Sequence, residues 1–199
     1  MQPIGASEMI INERGAIYHL NVRPDQIADT IITVGDPDRV AEVSKYFDRV
    51  EHVCAHREFI THTGYVGNKR ISVLSTGIGP DNIDIALNEV DALVNIDFET
   101  RTIKEQKKSV AFIRMGTCGS LQGEMGVDQL VAGTHGLGID NLLHFYQPNN
   151  NPEELAILTA FEQHTNIQAH HIKPYISSAS AGLLKHFTNG YNHGITVTC

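Results

Sequence analysis

Apolar positions along the 199 residues switch between a period near two and a period near 3.6, which predicts strands interleaved with helices. Residues 30–35 form a short β-branched apolar run, the pattern of a strand buried on both faces. Asp36-Pro37 follows, with proline suited to a first helical turn, and Val40, Val43 and Phe47 then fall at helical spacing. Residues 58–66 and 70–75 read as paired strands around a Gly67-Asn68 turn. The run Gly77-Ile78-Gly79-Pro80-Asp81-Asn82 opens a helix whose apolar face is predicted from Ile83, Ala86, Leu87, Val90 and Val94. Residues 109–115 predict another buried strand, closed by Gly116-Thr117-Cys118-Gly119. A strand over 127–134, a polar loop over 147–152, a helix over 152–164 and a β-like run over 195–199 complete the pattern. His170-His171 is read as a strand pair whose rings point to opposite faces. The alternation favours an α/β sandwich, organised as a single domain over 1–199. The last strand pattern runs to Cys199 with no turn or polar tail, so the chain is expected to continue beyond it.

Composition narrows the function classes. Hydrophobic residues make up 41% and charged residues 19%, enough apolar surface for a core and too much for a disordered chain. The net charge of −8 argues against general nucleic-acid binding, while a few placed arginines can still hold a small anion. Cys54, Cys118 and Cys199 are widely spaced and odd in number, which indicates neither a disulfide framework nor a Cys-x-x-Cys metal site. The start lacks a signal-peptide pattern and no apolar run is long enough for a bilayer, so a soluble cytoplasmic protein without membrane partners is expected.

The candidate chemistry sits in three loops that each follow a predicted strand: Gly35-Asp36-Pro37-Asp38-Arg39, Ser75-Thr76-Gly77-Ile78-Gly79, and Arg114-Met115-Gly116-Thr117-Cys118-Gly119. In open α/β sheets, loops at the carboxyl ends of strands form the ligand crevice, and glycines let a ligand approach the backbone. Arg114 lies in Ala-Phe-Ile-Arg-Met, and a guanidinium in an apolar strand needs a partner. That partner is either a carboxylate or a bound phosphate, whose geometry suits the guanidinium fork. Gly-Asp-Pro alone is common turn chemistry, Arg57 could form a surface ion pair, and Thr117 could be a cap or a hydroxyl ligand. The histidines show no metal-ligand spacing, and neither a Walker phosphate loop nor a Gly-x-Ser-x-Gly elbow is present.

Taken together, Tyr18-His19-Leu20, Val34-Gly35-Asp36-Pro37-Asp38-Arg39-Val40, His56-Arg57-Glu58-Phe59, Ser75-Thr76-Gly77-Ile78-Gly79 and Arg114-Met115-Gly116-Thr117-Cys118-Gly119 resemble the nucleoside phosphorylase family, which contains uridine and purine nucleoside phosphorylases. The His-Arg-Glu-Phe and Ser-Thr-Gly-Ile-Gly strings resemble the uridine enzymes more. The resemblance implies a three-layer α/β/α sandwich with a central mixed sheet, and phosphorolysis of uridine to uracil and ribose 1-phosphate. It implies phosphate contacts from Gly35, Arg39, Arg114 and Thr117, with Arg39 and Arg114 as the catalytic pair. It places Arg57 at the phosphate and His19 at the ribose 5′-hydroxyl of a neighbouring subunit, and Cys118 and Gly119 near the nucleoside. A homodimer or trimer of dimers follows from such shared sites, with phosphate as substrate and no metal or organic cofactor. Family members continue past the strand resembling residues 194–199 with a Gln-x-Arg pair for uracil and a Met-Glu segment for the ribose. Neither occurs here, so the resemblance implies a C-terminally truncated chain whose own activity is in doubt. A purine nucleoside phosphorylase and an inactive anion-binding fragment stay open as alternatives.

Overall fold

The computed structural model describes residues 2–140 and 142–198, which form two compact units, Met1–Thr117 and Cys118–Cys199. The first unit is built on five strands: β1 (Thr30–Val34), β2 (Arg49–His56), β3 (Phe59–Val66), β4 (Lys69–Ser75) and, after a two-residue β5 (Ile96–Asp97) and β6 (Thr102–Ile103), β7 (Ala111–Arg114). The order is β2-β3-β4-β1-β7, with β1 parallel to β4 and β7 and with β2, β3 and β4 antiparallel. The sheet is therefore mixed, as expected for this fold class.

Both faces of the sheet are covered because neighbouring residues in a strand point to opposite sides. Ile31, Phe59 and Leu74 join one apolar cluster with Ala86, Val90 and Leu93 of α2 (Pro80–Asn95). Val34 and Val73 join the other with Val40 of α1 (Asp38–Ser44), and Ile32, Val43, Phe47 and Ile60 pack against them. Residues before β1 close the first cluster, with Met9, Ile17, Leu20 and Val22 buried.

In the second unit β8 (Val131–Gly138) lies between β9 (Tyr175–Ser178), antiparallel, and β10 (Asn192–Thr198), parallel. Its helices are α3 (Pro152–Thr165) and the short α4 (Ala181–Leu184). Asn151 caps α3 through Glu154 N–H, and Glu154 answers with the Asn151 N–H, a reciprocal capping box. No helix among the described residues is long and apolar enough to cross a membrane.

Several expectations need correction. Strand β2 has no buried apolar position except Cys54 and Ala55 lies exposed, so an edge strand escaped the hydrophobic pattern. Leu87 is 42% exposed, and α2 buries Ala86, Val90 and Leu93 at i, i+4 and i+7 instead. Strand β8 begins at Val131; Val127 and Leu130 are exposed in a loop that Asp128 turns with φ 62°. His170 closes a 3-10 turn, Ile167–His170, and His171 follows at φ 59°, so the pair is not in a strand. The β-like C-terminal run is realised in β10; its last residue, Cys199, lies outside the described residues. Cys54 is buried, Cys118 is exposed, and both are free thiols.

Candidate functional site

Parallel register brings the three loops together. Val34 at the end of β1 sits beside Ser75 at the end of β4, and Thr33 sits beside Arg114 at the end of β7. The ladder then runs one step past each strand. Thr76 donates its N–H to the Val34 carbonyl at 2.8 Å, and Met115 donates its own to Thr33 at 2.8 Å. The chain segments after β1, β4 and β7 therefore leave the sheet side by side, at its carboxyl edge, where α/β folds place ligands.

These segments enclose a cavity of about 670 Å³ lined by Gly35, Asp36, Pro37, Arg39, Glu58, Gly77, Ile78, Asn82, Arg114, Gly116 and Thr117. The four residues expected to contact phosphate within one chain, Gly35, Arg39, Arg114 and Thr117, are among them; Arg57, expected at a neighbouring subunit's phosphate, is not. Asp36 Oδ1 accepts the Asp38 N–H at 3.0 Å and so shapes the turn that delivers Arg39 from the start of α1. Gly77 has φ 68°, and a β-carbon there would stand 2.8 Å from Asn82 Nδ2 and 2.9 Å from Glu58 Cγ. Glycine is required at that corner by both backbone and space.

The guanidinium groups of Arg39 and Arg114 carry no ion pair or hydrogen bond among the described residues. Arg114 is also exposed rather than buried, because it is the last residue of β7 and stands at the mouth of the strand. No carboxylate among the described residues pairs with Arg114, and two guanidinium groups without an ion pair face one glycine-lined cavity whose lining also carries the Asp36 and Glu58 carboxylates. Such a site suits an oxyanion.

A cavity of about 780 Å³ at the opposite ends of the same strands is also cationic, lined by Lys69, Arg70, Lys104, Lys107 and Lys108 among others. Most of its charge is already engaged. Lys108 pairs with Asp29, Arg70 holds Glu51 and the Ile27 carbonyl, and Lys104 holds the Val94 carbonyl. It lies at the amino ends of the parallel strands and lacks the glycine-lined backbone of the other cavity.

His19 and Arg57 do not line the glycine cavity; they form a separate cluster. Arg57 and Glu58 make the two-residue turn between β2 and β3, and Arg57 takes φ 55°. Its guanidinium lies 6.0 Å from the Tyr18 ring centroid. His56 Nδ1 donates to the His19 carbonyl at 3.2 Å, and Tyr18 meets the rings of both His19 and His56 edge-on. Cys118 and Gly119 open the second unit and line none of the cavity.

Asp36, Glu58 and Asn82 stood inside the quoted loops and strings but were given no site role by sequence reasoning; Asp36 adjoins Gly35, Glu58 adjoins Arg57, and Asn82 lies three residues after Gly79. Gly35, Gly79 and Arg57 were the available signal.

The model of the phosphorylase superfamily matches residues 29–199, which spans both units. A uridine phosphorylase of Thermococcus kodakarensis is 34% identical over 119 residues, covering 60% of this chain and 38% of that protein. A guanosine phosphorylase of Halorubrum lacusprofundi is 34% identical over 117 residues, covering 58% and 42%. A solved structure of a Trypanosoma brucei nucleoside phosphorylase, described as showing uridine phosphorylase activity, superposes with a TM-score of 0.86 at 30% identity over 96% of this chain and 68% of that one. The matches cover between 38% and 59% of the first two curated uridine phosphorylases. On the family model's match and this superposition, the chain belongs to the phosphorylase superfamily.

Proposed function

We propose that the glycine-lined cavity binds inorganic phosphate for the phosphorolysis of uridine to uracil and ribose 1-phosphate. The observation that carries this is the pair of unpaired guanidinium groups, Arg39 and Arg114, facing one cavity with Gly35 and Thr117. Phosphate is already an anionic nucleophile, so no base is needed to create it. It attacks C1′ of the ribose as the base departs through an oxocarbenium-like transition state, as in glycoside cleavage. The arginines hold the anion in line and place negative charge beside the developing cation. The reaction needs phosphate as co-substrate and no metal or organic cofactor. Cys118 and Gly119 belong to the nucleoside side of the site. The match across 29–199 supports one phosphorylase domain comprising both units.

The second part of the proposal is a shared site. Arg57 and His19 stand outside the cavity of their own chain, and Arg57 holds a left-handed backbone that a non-glycine residue adopts at a cost of roughly 1–3 kcal/mol. In a homodimer, Arg57 completes the partner's phosphate site and His19 meets the partner's ribose 5′-hydroxyl.

The test is uracil release from uridine with and without phosphate, using the 199-residue chain and a C-terminally extended form, with guanosine as a competing substrate. Phosphate-dependent release of uracil supports the proposal. Its absence from both forms, or cleavage that proceeds equally without phosphate, overturns it. Preference for guanosine would favour the purine alternative, which the Halorubrum relative keeps open.

A further inference from the structure

The carboxylate of Glu89 meets three donors from the Tyr18-His19-Leu20 turn. Its Oε1 accepts the His19 backbone N–H at 3.1 Å and contacts His19 Nδ1 at 2.7 Å, and its Oε2 accepts the Leu20 N–H at 2.8 Å. Glu89 lies on α2, the helix that begins at the cavity loop, and its side chain is 13% exposed against 31% for His19. A carboxylate this sheltered is stabilised by charge-assisted bonds from all three donors.

We infer that Glu89 is a positioning residue: it holds His19 with the proton on Nδ1 and leaves Nε2 as a free hydrogen-bond acceptor for a substrate hydroxyl. An ionised carboxylate has no proton to give, so the short contact requires one on Nδ1. In the neutral ring Nε2 then carries the lone pair. Nothing among the described residues engages Nε2, while Tyr18 and Phe59 both meet the ring edge-on, at centroid distances of 4.9 and 6.5 Å. The third bond fixes ring rotation and tautomer, which a purely structural anchor does not need. The substrate side of this inference rests on the reading that His19 meets a ribose 5′-hydroxyl in the neighbouring subunit; that hydroxyl would donate to Nε2.

Ring-nitrogen NMR of the 199-residue chain tests the tautomer without any activity, with the His19 signals assigned by their loss in His19→Asn. The expected result is Nδ1–H in the wild type and a shift toward Nε2–H in Glu89→Ala and Glu89→Leu, which remove the acceptor, each checked for retained amide dispersion. Nε2–H in the wild type, whether on a neutral or a doubly protonated ring, or an unchanged tautomer in folded variants, overturns the inference. In the extended form, Glu89→Ala should raise KM for uridine about 3- to 30-fold, as expected for one lost hydrogen bond, with kcat nearly held and 5′-deoxyuridine unaffected. An equal loss on both substrates marks a structural role and also overturns it. Absence of any phosphorolysis contradicts the proposed function alone, since the tautomer decides the role of Glu89 by itself.

Discussion

The Nη2 atom of Arg114 lies 3.7 Å from the point where Gly35 would carry a β-carbon, and 3.9 Å from the same point on Gly116. The guanidinium is flanked by two backbones with no side chain between. Register explains why: Thr33 pairs with Arg114, so the loops after β1 and β7 leave the sheet together.

This spacing predicts separable effects at Gly35. A methyl group there makes ordinary contact with the Arg114 side chain, so Gly35→Ala should fold with stability changed by less than about 1 kcal/mol. The methyl group would occupy the space where an anion must touch the backbone. Phosphate affinity should fall at least several-fold, read by calorimetry beside a thermal melt. Unchanged affinity would place the anion elsewhere.

Gly77→Ala should behave in the opposite way, as a folding defect. Its φ of 68° and the 2.8 and 2.9 Å approaches to Asn82 and Glu58 leave no room for a β-carbon. Destabilisation of roughly 1–3 kcal/mol is expected, from the left-handed backbone together with displaced neighbours. Urea unfolding with a wild-type midpoint would show that the loop relaxes freely.

Arg57→Gly should leave stability unchanged or raise it by up to about 1 kcal/mol, because glycine accepts φ 55° without strain. The same change should remove most phosphorolysis from an extended form. Mixed dimers of Arg57→Ala and Arg114→Ala subunits should recover part of it, since one intact shared site remains. Confirmed mixed dimers with no recovery would argue against sharing.

Much of this was legible in the sequence. Glycines after the β-branched runs at 30–35 and 109–115 marked the strand ends, and parallel strands aligned at their carboxyl ends bring such loops to one edge. Edge strand β2 was not legible, because Arg49 and Glu51 on one face and His52 and His56 on the other leave it with no continuous apolar face. The second half of β8 was hidden by Gly136 and Gly138, which pair between two strands without a β-branched signal. The strain at Arg57 and the embrace of His19 by Glu89 arise from backbone dihedrals and from residues 70 positions apart, which no local pattern records.

Glu154 makes the second unit acid-sensitive. Ser178, through its hydroxyl and N–H, and Asn150 and Asn151 donate to its carboxylate and hold its pKa at about 2, below the usual 4.5. Protonation is harder in the folded chain than in the unfolded one, so the stabilisation is complete above about pH 4.5 and is lost as pH falls toward about 2. Glu154→Gln should lower stability at neutral pH and flatten its dependence across that window. A melt followed through the Ser178 amide reads this, and identical pH profiles would assign the acid response to other groups.

Inorganic phosphate titrated into the wild-type chain, Arg39→Ala and Arg114→Ala, followed by the amide signals of Gly35, Gly116 and Thr117, decides whether these residues form one anion site. Saturable shifts at all three amides are predicted in the wild type. Each arginine variant should bind about 10- to 100-fold more weakly, the loss of one charge-assisted contact of about 1.5–3 kcal/mol. Shifts confined to other residues, or equal affinity in the wild type and both variants, would contradict it.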